Sequence, residues 1–292
     1  MGTDEILETI DPDRPVLIAG PTASGKSGLA LAIAERQGGI VINADALQVF
    51  DAWPILTAQP DAADRARAPH ALYGHVPYDA PYSAGDWLRD LRPLLGGADR
   101  PIIVGGTGLY FVALTQGLAE IPPTPPAIRA EGDALPLTEL VAALDPRSRA
   151  ALDLNNRARV QRAWEVARNT GRPITDWQDE TPPPALPLTQ ATALCLEAPP
   201  DWLTPRIEAR FDAMLDHGAI DEARAMRPRW DPTHLSSRAI GAAELIAHID
   251  GELTRDEVRD RAVIASRQYA KRQRTFFRAR SAGWRMITAA TL

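Results

Sequence analysis

At 292 residues, with 45% hydrophobic and 24% charged side chains and a formal net charge of −6, the chain is long enough for one large core or two smaller domains and too apolar for disorder. It contains no run of the roughly 18 apolar residues that a membrane span needs, and its acidic N-terminus lacks a signal-peptide core, so no membrane partner and a cytoplasmic location are expected. Cys195 is the only cysteine, which excludes an intrachain disulfide or a cysteine-based zinc cluster; in the run Ala193-Leu194-Cys195-Leu196 it reads as a buried structural thiol.

Val16-Leu17-Ile18-Ala19 is a short apolar run ending at glycine, and Ser27 to Arg36 follows it with helical spacing of Leu29, Leu31, Ile33 and Ala34. Ile40 to Ala44 is a second buried-strand candidate, ending at Asp45, and Pro101 to Val104 a third, ending at Gly105-Gly106-Thr107. Apolar strands alternating with helices predict an α/β fold, a parallel sheet covered on both faces, with ligands at the carboxyl ends of its strands. Two proline-rich stretches, Pro122 to Pro126 and Pro182 to Pro184, bracket a region of short helices that includes Thr138 to Leu144 and Arg157 to Asn169. A helical insertion domain is therefore expected over 121–187, within a catalytic domain made of 1–120 and 188–292. Trp202 to His217 reads as a helix, and Thr254-Arg255-Asp256-Glu257 is a capping box opening a long helix to about Arg280. Val258, Ala262, Ala265 and Tyr269 give that helix an apolar stripe, with Arg267, Lys271, Arg274 and Arg278 on the opposite side. The negative net charge argues against a nucleic-acid coat over the whole surface, yet Arg255 to Arg285 holds ten basic residues against three acidic ones.

Gly20-Pro21-Thr22-Ala23-Ser24-Gly25-Lys26-Ser27 fits G-x-x-x-x-G-K-[ST] between a strand and a helix. Glycines let backbone amides turn toward phosphate oxygens, the helix N-terminus adds a positive field, Lys26 neutralises the terminal charge, and the Ser27 hydroxyl can hold Mg²⁺. Only Lys26 and Lys271 among the 32 basic residues are lysines, so Lys26 persists where arginine is otherwise preferred, as a compact ammonium between phosphate oxygens would require. Nucleotide hydrolysis also needs an acid at the end of another strand; the third strand ends in glycine and threonine instead. The available acid is Asp45, expected beside the P-loop, as a magnesium-linked or base residue of a small-molecule or nucleotide kinase, or as the base for some other nucleophile.

The series Gly20 to Ser27, Asp45-Ala46-Leu47-Gln48-Val49-Phe50, Thr57-Ala58-Gln59-Pro60, Pro69-His70, Tyr82-Ser83-Ala84, Val104 to Phe111 and Arg267 to Gln273 resembles the tRNA dimethylallyltransferases. The resemblance spans about residues 16 to 280. It implies a P-loop NTPase-like core with a helical insertion, acting on dimethylallyl diphosphate and the anticodon stem-loop of tRNA with Mg²⁺; a monomer is expected. It further implies that the dimethylallyl group goes to N6 of an adenosine next to the anticodon, at position 37. By the same resemblance Lys26 and Arg210 hold the departing pyrophosphate, Asp45 is the general base and Thr107 orients substrate. Asp45, Ala46, Leu47, Gln48, Thr107 and Arg238 would meet the anticodon loop. Lys271, Arg272, Arg274 and Arg278 would meet its stem, and Arg159 and Arg162 the other side. Three segments depart from the family pattern: Gln59 stands for a lysine in T-A-K-P, Ala46 for the serine of the D-S pair, and Arg238-Ala239-Ile240-Gly241-Ala242-Ala243 for Q-A-I-G-Y-[KR]. Two cations are thus lost and one gained, and the insertion is short.

Overall fold

A computed structural model describes residues 2–292. In chain order the elements are α1 (Thr3–Thr9), β1 (Val16–Ala19), α2 (Lys26–Gln37), β2 (Ile40–Asn43), α3 (Pro54–Thr57), α4 (Ala62–Arg67), β3 (His70–Ala71), α5 (Ala84–Leu95), β4 (Pro101–Gly105) and α6 (Gly108–Gln116). Five helices follow: α7 (Pro126–Ala134), α8 (Leu137–Ala142), α9 (Pro146–Ala151), α10 (Arg157–Thr170) and α11 (Ile174–Asp179). The chain closes with β5 (Thr192–Glu197), α12 (Pro200–Asp216), α13 (Ala219–Met226), α14 (Ala242–Ile249), α15 (Arg255–Arg280) and β6 (Arg285–Thr288).

The six strands form one sheet in the order β3-β2-β4-β1-β5-β6, with every neighbouring pair parallel. Strands β1 and β4 are buried along their whole length, as continuous apolar runs in a sheet covered on both faces must be. Because all strands point the same way, the P-loop after β1 and Asp45 after β2 emerge at one edge. The strand that carries Asp45 does not itself adjoin the P-loop strand: β4 lies between them, which sets the two strand axes about 9.5 Å apart. The apolar lengths of the strands are alike, so nothing local could order them.

Two compact units are separable, one comprising the chain up to Thr115 and from Leu186 onward, the other Gln116–Ala185. The second has its own apolar core, with Leu140, Val160, Ala163, Trp164, Val166 and Ile174 buried. Gly171 ends α10 at φ +68°, as a left-handed C-terminal stop requires.

Helix α15 opens with the expected capping box, in which the Thr254 hydroxyl and the Glu257 carboxylate each bond the other's backbone amide. Its buried stripe is Val258, Ala262, Val263, Ala270, Gln273 and Phe277. Ala265 and Tyr269 are only half-buried, so the expected stripe holds at its start and then gives way to Ala270. Cys195 is buried on β5, and desolvation raises its thiol pKa, as for a structural thiol.

Candidate active site

Gly20 sits at φ +151°, where a Cβ would lie 2.9 Å from the Leu196 carbonyl oxygen, so the P-loop can leave β1 only through glycine. Gly25, at φ +90°, caps α2. Ala23 is held at φ +61°, a left-handed conformation that costs an L residue about 1 to 2 kcal/mol. Two arginines of α12 brace this strained segment. Arg206 Nε donates to the Ala23 carbonyl at 3.2 Å and Arg210 Nη1 to Thr22 Oγ1 at 3.1 Å. Lys26 Nζ donates to the Pro21 carbonyl at 2.6 Å. Burial lowers the Lys26 ammonium to a pKa of about 8, with Asp45 pulling upward and Arg210 pushing further down. The Ser24 hydroxyl is buried with no hydrogen-bond partner among the described residues. The Ser27 hydroxyl is exposed at the start of α2.

Asp45 is fixed by Asn43, the last residue of β2 and wholly buried. Asn43 Oδ1 accepts the Asp45 amide at 2.8 Å, while its Nδ2 donates to the carbonyls of Asp45 and Leu72 at 2.9 and 3.0 Å. Asp45 Oδ1 then accepts the Leu47 amide at 3.0 Å, and Oδ2 is left as a free acceptor among the described residues. Thr107 closes the turn from the other side: its amide donates to the Ala44 carbonyl at 3.1 Å and its Oγ1 accepts the Ala46 amide at 2.9 Å. Gly105 makes this approach possible: a Cβ on it would lie 2.1 Å from the Ala44 carbonyl oxygen, whereas one on Gly106 would only touch Asp45 Oδ2, at 3.5 Å.

The P-loop and Asp45 line one cavity of about 450 Å³, well within the range of small-ligand sites. Thr22 to Ser27, Arg210, Asp45 and Gln273 supply its polar wall, and Leu47, Leu56, Ile207, Phe211, Met214 and Ile240 its apolar wall. Tyr269 and Tyr73 also line it, their phenol pKa values raised chiefly by burial. Burial likewise lowers the Arg210 pKa, against the attraction of Asp45. Charge and apolar surface therefore share a single chamber, which suits an anion carrying a short hydrocarbon.

Leu47 and Gln48 line this cavity, whereas Thr107 acts next to Asp45 through its hydrogen bond with the Ala46 amide. Gln48 Nε2 is spent on the Thr57 and Ala58 carbonyls at 2.9 and 3.0 Å. Gln59, where the family pattern has lysine, donates Nε2 to the Phe50 carbonyl at 2.8 Å, so this departure has become a loop brace. Arg238 is exposed in a short 3-10 turn. On α15, Lys271, Arg272 and Arg278 are exposed and Arg274 half-buried, with the Arg272 guanidinium 5.7 Å above the Tyr269 ring. Within the unit Gln116–Ala185, Arg159 is exposed, whereas Arg162 is half-buried and donates to Thr124 Oγ1 at 2.5 Å. Asn43, Arg206, Tyr269 and Gln273 were missed by sequence reasoning as site residues. For Gln273 a signal existed: a glutamine at an apolar-stripe position of a helix needs buried partners.

A family model described as IPP transferase matches residues 48–280. The chain belongs to the IPP transferase family. A tRNA dimethylallyltransferase from Ruegeria sp. is 60% identical over 282 residues, covering 97% of this chain and 98% of the relative. The solved tRNA isopentenylpyrophosphate transferase of Bacillus halodurans is 31% identical with a TM-score of 0.67, over 95% of this chain and 90% of that one. A eukaryotic dimethylallyltransferase solved acting on tRNA is 24% identical and shares the fold, with a TM-score of 0.78 over 94% of this chain and 73% of that one. For this family member, the kinase alternative is not favoured. No helix among the described residues is long and apolar enough to cross a membrane.

Proposed function

We propose that this chain transfers the dimethylallyl group of dimethylallyl diphosphate to N6 of the adenosine at position 37 in the tRNA anticodon loop, acting as a cytoplasmic monomer. The observation that carries the reading is a single chamber in which a P-loop and a carboxylate with one free oxygen face an apolar wall. N6 of adenine is a poor nucleophile because its lone pair is delocalised into the ring, so a base must take its proton as the new bond forms. Asp45 Oδ2 accepts that proton, the N6–C1 bond forms, and the C1–O bond breaks with its electron pair passing to the pyrophosphate. Lys26, Arg210 and the P-loop amides stabilise the charge that grows on the leaving group. The apolar wall receives the hydrocarbon, and the Ser24 hydroxyl, buried without a partner among the described residues, supports an anion in the loop. Thr107 acts by holding the Ala46 amide and so the turn that presents Asp45.

Mg²⁺ fits this donor set. The Ser27 hydroxyl is exposed, and the described residues contain no cluster of three carboxylate, histidine or cysteine ligands. The ion would therefore rest on diphosphate oxygens with Ser27 as a protein ligand, as Mg²⁺ commonly does. When bound it neutralises charge on the leaving group. An anticodon-loop base can be turned out of its stack at lower cost than a paired one. Leu47, Gln48 and Arg238 would meet the loop, while Lys271, Arg272, Arg274 and Arg278 contact backbone phosphates. Arg159 and Arg162 of the insertion are proposed as additional phosphate contacts.

The test is incubation with labelled dimethylallyl diphosphate and total tRNA followed by nucleoside analysis. Label in N6-dimethylallyladenosine is expected, and its absence sinks the reading. In parallel, dimethylallyl diphosphate should raise the unfolding temperature. Stabilisation by ATP-Mg²⁺ alone would restore the kinase.

A further inference from the structure

Helix α15 meets the substrate loops through one buried side chain that the chemistry above does not use. Gln273 is 5% exposed. Its Oε1 accepts the Thr22 amide of the P-loop at 2.8 Å, and its Nε2 donates to the Gly106 carbonyl after β4 at 3.0 Å. An amide is the side chain suited to this place, because one end must accept and the other donate. Thr22 is gripped a second time by Arg210 at its hydroxyl. Gly106, in turn, lies between the P-loop strand and Asp45, and a Cβ on it would come within 2.0 Å of Gln273 Nε2. The cradle and the turn that presents the carboxylate are thus both referenced to one amide on the helix that also carries Lys271, Arg272, Arg274 and Arg278.

We propose that Gln273 is a positioning residue, whose bridge between Thr22 and Gly106 sets the distance from the phosphate cradle to Asp45 while α15 is engaged by RNA. The proposal rests on the prenyl-transfer reading for its kinetic consequence and on geometry alone for its structural one. A bridge of this kind acts on the reaction coordinate rather than on binding. Its loss leaves each substrate able to dock but displaces the two relative to one another, and a displacement of about 1 Å costs about 100-fold in rate. The Thr22 amide has no other hydrogen-bond acceptor among the described residues, so the same loss exposes it.

Gln273→Met keeps length and volume while removing both hydrogen bonds. It is expected to lower kcat about 100-fold with KM for either substrate changed less than about threefold, the pattern of a transition-state defect. Gln273→Glu supplies a control that a merely structural role would not satisfy. Protonated, its carboxyl can accept from Thr22 and donate to Gly106; ionised, it opposes a carbonyl oxygen. The ratio of Gln273→Glu to wild-type kcat should therefore rise as pH falls through the pKa of that carboxyl, which burial raises. Independently of turnover, hydrogen exchange at the Thr22 amide in the ligand-free protein should quicken at least about tenfold in Gln273→Met, as for an amide freed from its acceptor. Wild-type turnover by Gln273→Met, a flat pH ratio for Gln273→Glu, or unchanged Thr22 exchange overturns the proposal. If wild-type protein fails to prenylate tRNA, the functional reading falls, and the exchange measurement still decides whether the bridge fixes the loop. Should Gln273→Met not fold, Gly106→Ala displaces the Gln273 amide from the other side. Gln273→Ala in that background should then relieve the clash, giving a double variant better than the product of the two single losses; simple additivity overturns the bridge.

Discussion

The two ends of α15 use the same residue type for opposite ends. Arg255 and Arg259, in its first two turns, are paired with Asp216 and Asp212 of α12 at 2.7 and 2.5 Å. From Arg267 to Arg280 the helix contains no acidic residue, and Arg267, Lys271, Arg272, Arg274 and Arg278 have no ion pair among the described residues. Cations cancelled by neighbours on the same fold serve packing, whereas cations left uncancelled on an otherwise acidic protein raise a local potential for a polyanion. The contrast separates two kinds of arginine that composition counts alike.

Four experiments test that contrast, beginning at the chamber that holds Asp45 and the P-loop. Asp45→Asn should lower kcat by about 10² to 10⁴, the usual scale for a lost general base, while filter binding shows tRNA affinity unchanged; undiminished turnover would remove Asp45 from the reaction. Lys26 gives the next effect, through pH. Its folded pKa of about 8 lies below the ordinary value of 10.5, so the unfolded chain binds the proton more readily and stability rises with pH across that window. Pyrophosphate prefers the charged ammonium, so its affinity by calorimetry should fall about tenfold per pH unit above pH 8. An affinity flat from pH 8 to 10 would show that Lys26 does not meet the anion. At the uncancelled end of α15, Arg274→Ala should weaken tRNA binding and reduce the slope of log affinity against log salt by about 1. Pyrophosphate affinity should be unchanged. The smallest effect belongs to the cancelled end: Arg259→Ala should leave the unfolding temperature nearly unchanged, as expected of a partly exposed pair, and leave the salt slope as it was. Equal salt slopes for the two variants would erase the distinction.

The site was legible in proportion to how local its causes are. The P-loop follows from Gly20, Gly25, Lys26 and Ser27 within eight residues, and the positive φ values at the two glycines are the physical content of the motif. The capping box at Thr254 was equally local. Asp45 was found from its place after an apolar run, although its strand proved to be two positions from the P-loop strand. Arg210 could be named only through family resemblance, since its contact with Thr22 spans 188 residues. Arg162, expected to face RNA, also donates to Thr124, a partner that no helical periodicity discloses.

The amino-acid order alone determined the phosphate-gripping turn, the strands β1, β2 and β4, the caps of α10 and α15 and the basic character of the last long helix, because each depends on backbone preferences or on neighbours within a few residues. Tertiary structure alone decided that β4 separates the P-loop strand from that of Asp45, that Gly105 clears the space for the Ala44 carbonyl, and that Gln273 joins Thr22 to Gly106 across separations of 251 and 167 residues. Hydrogen-bond demand is written in a residue's type, but the partner that meets it is chosen by packing.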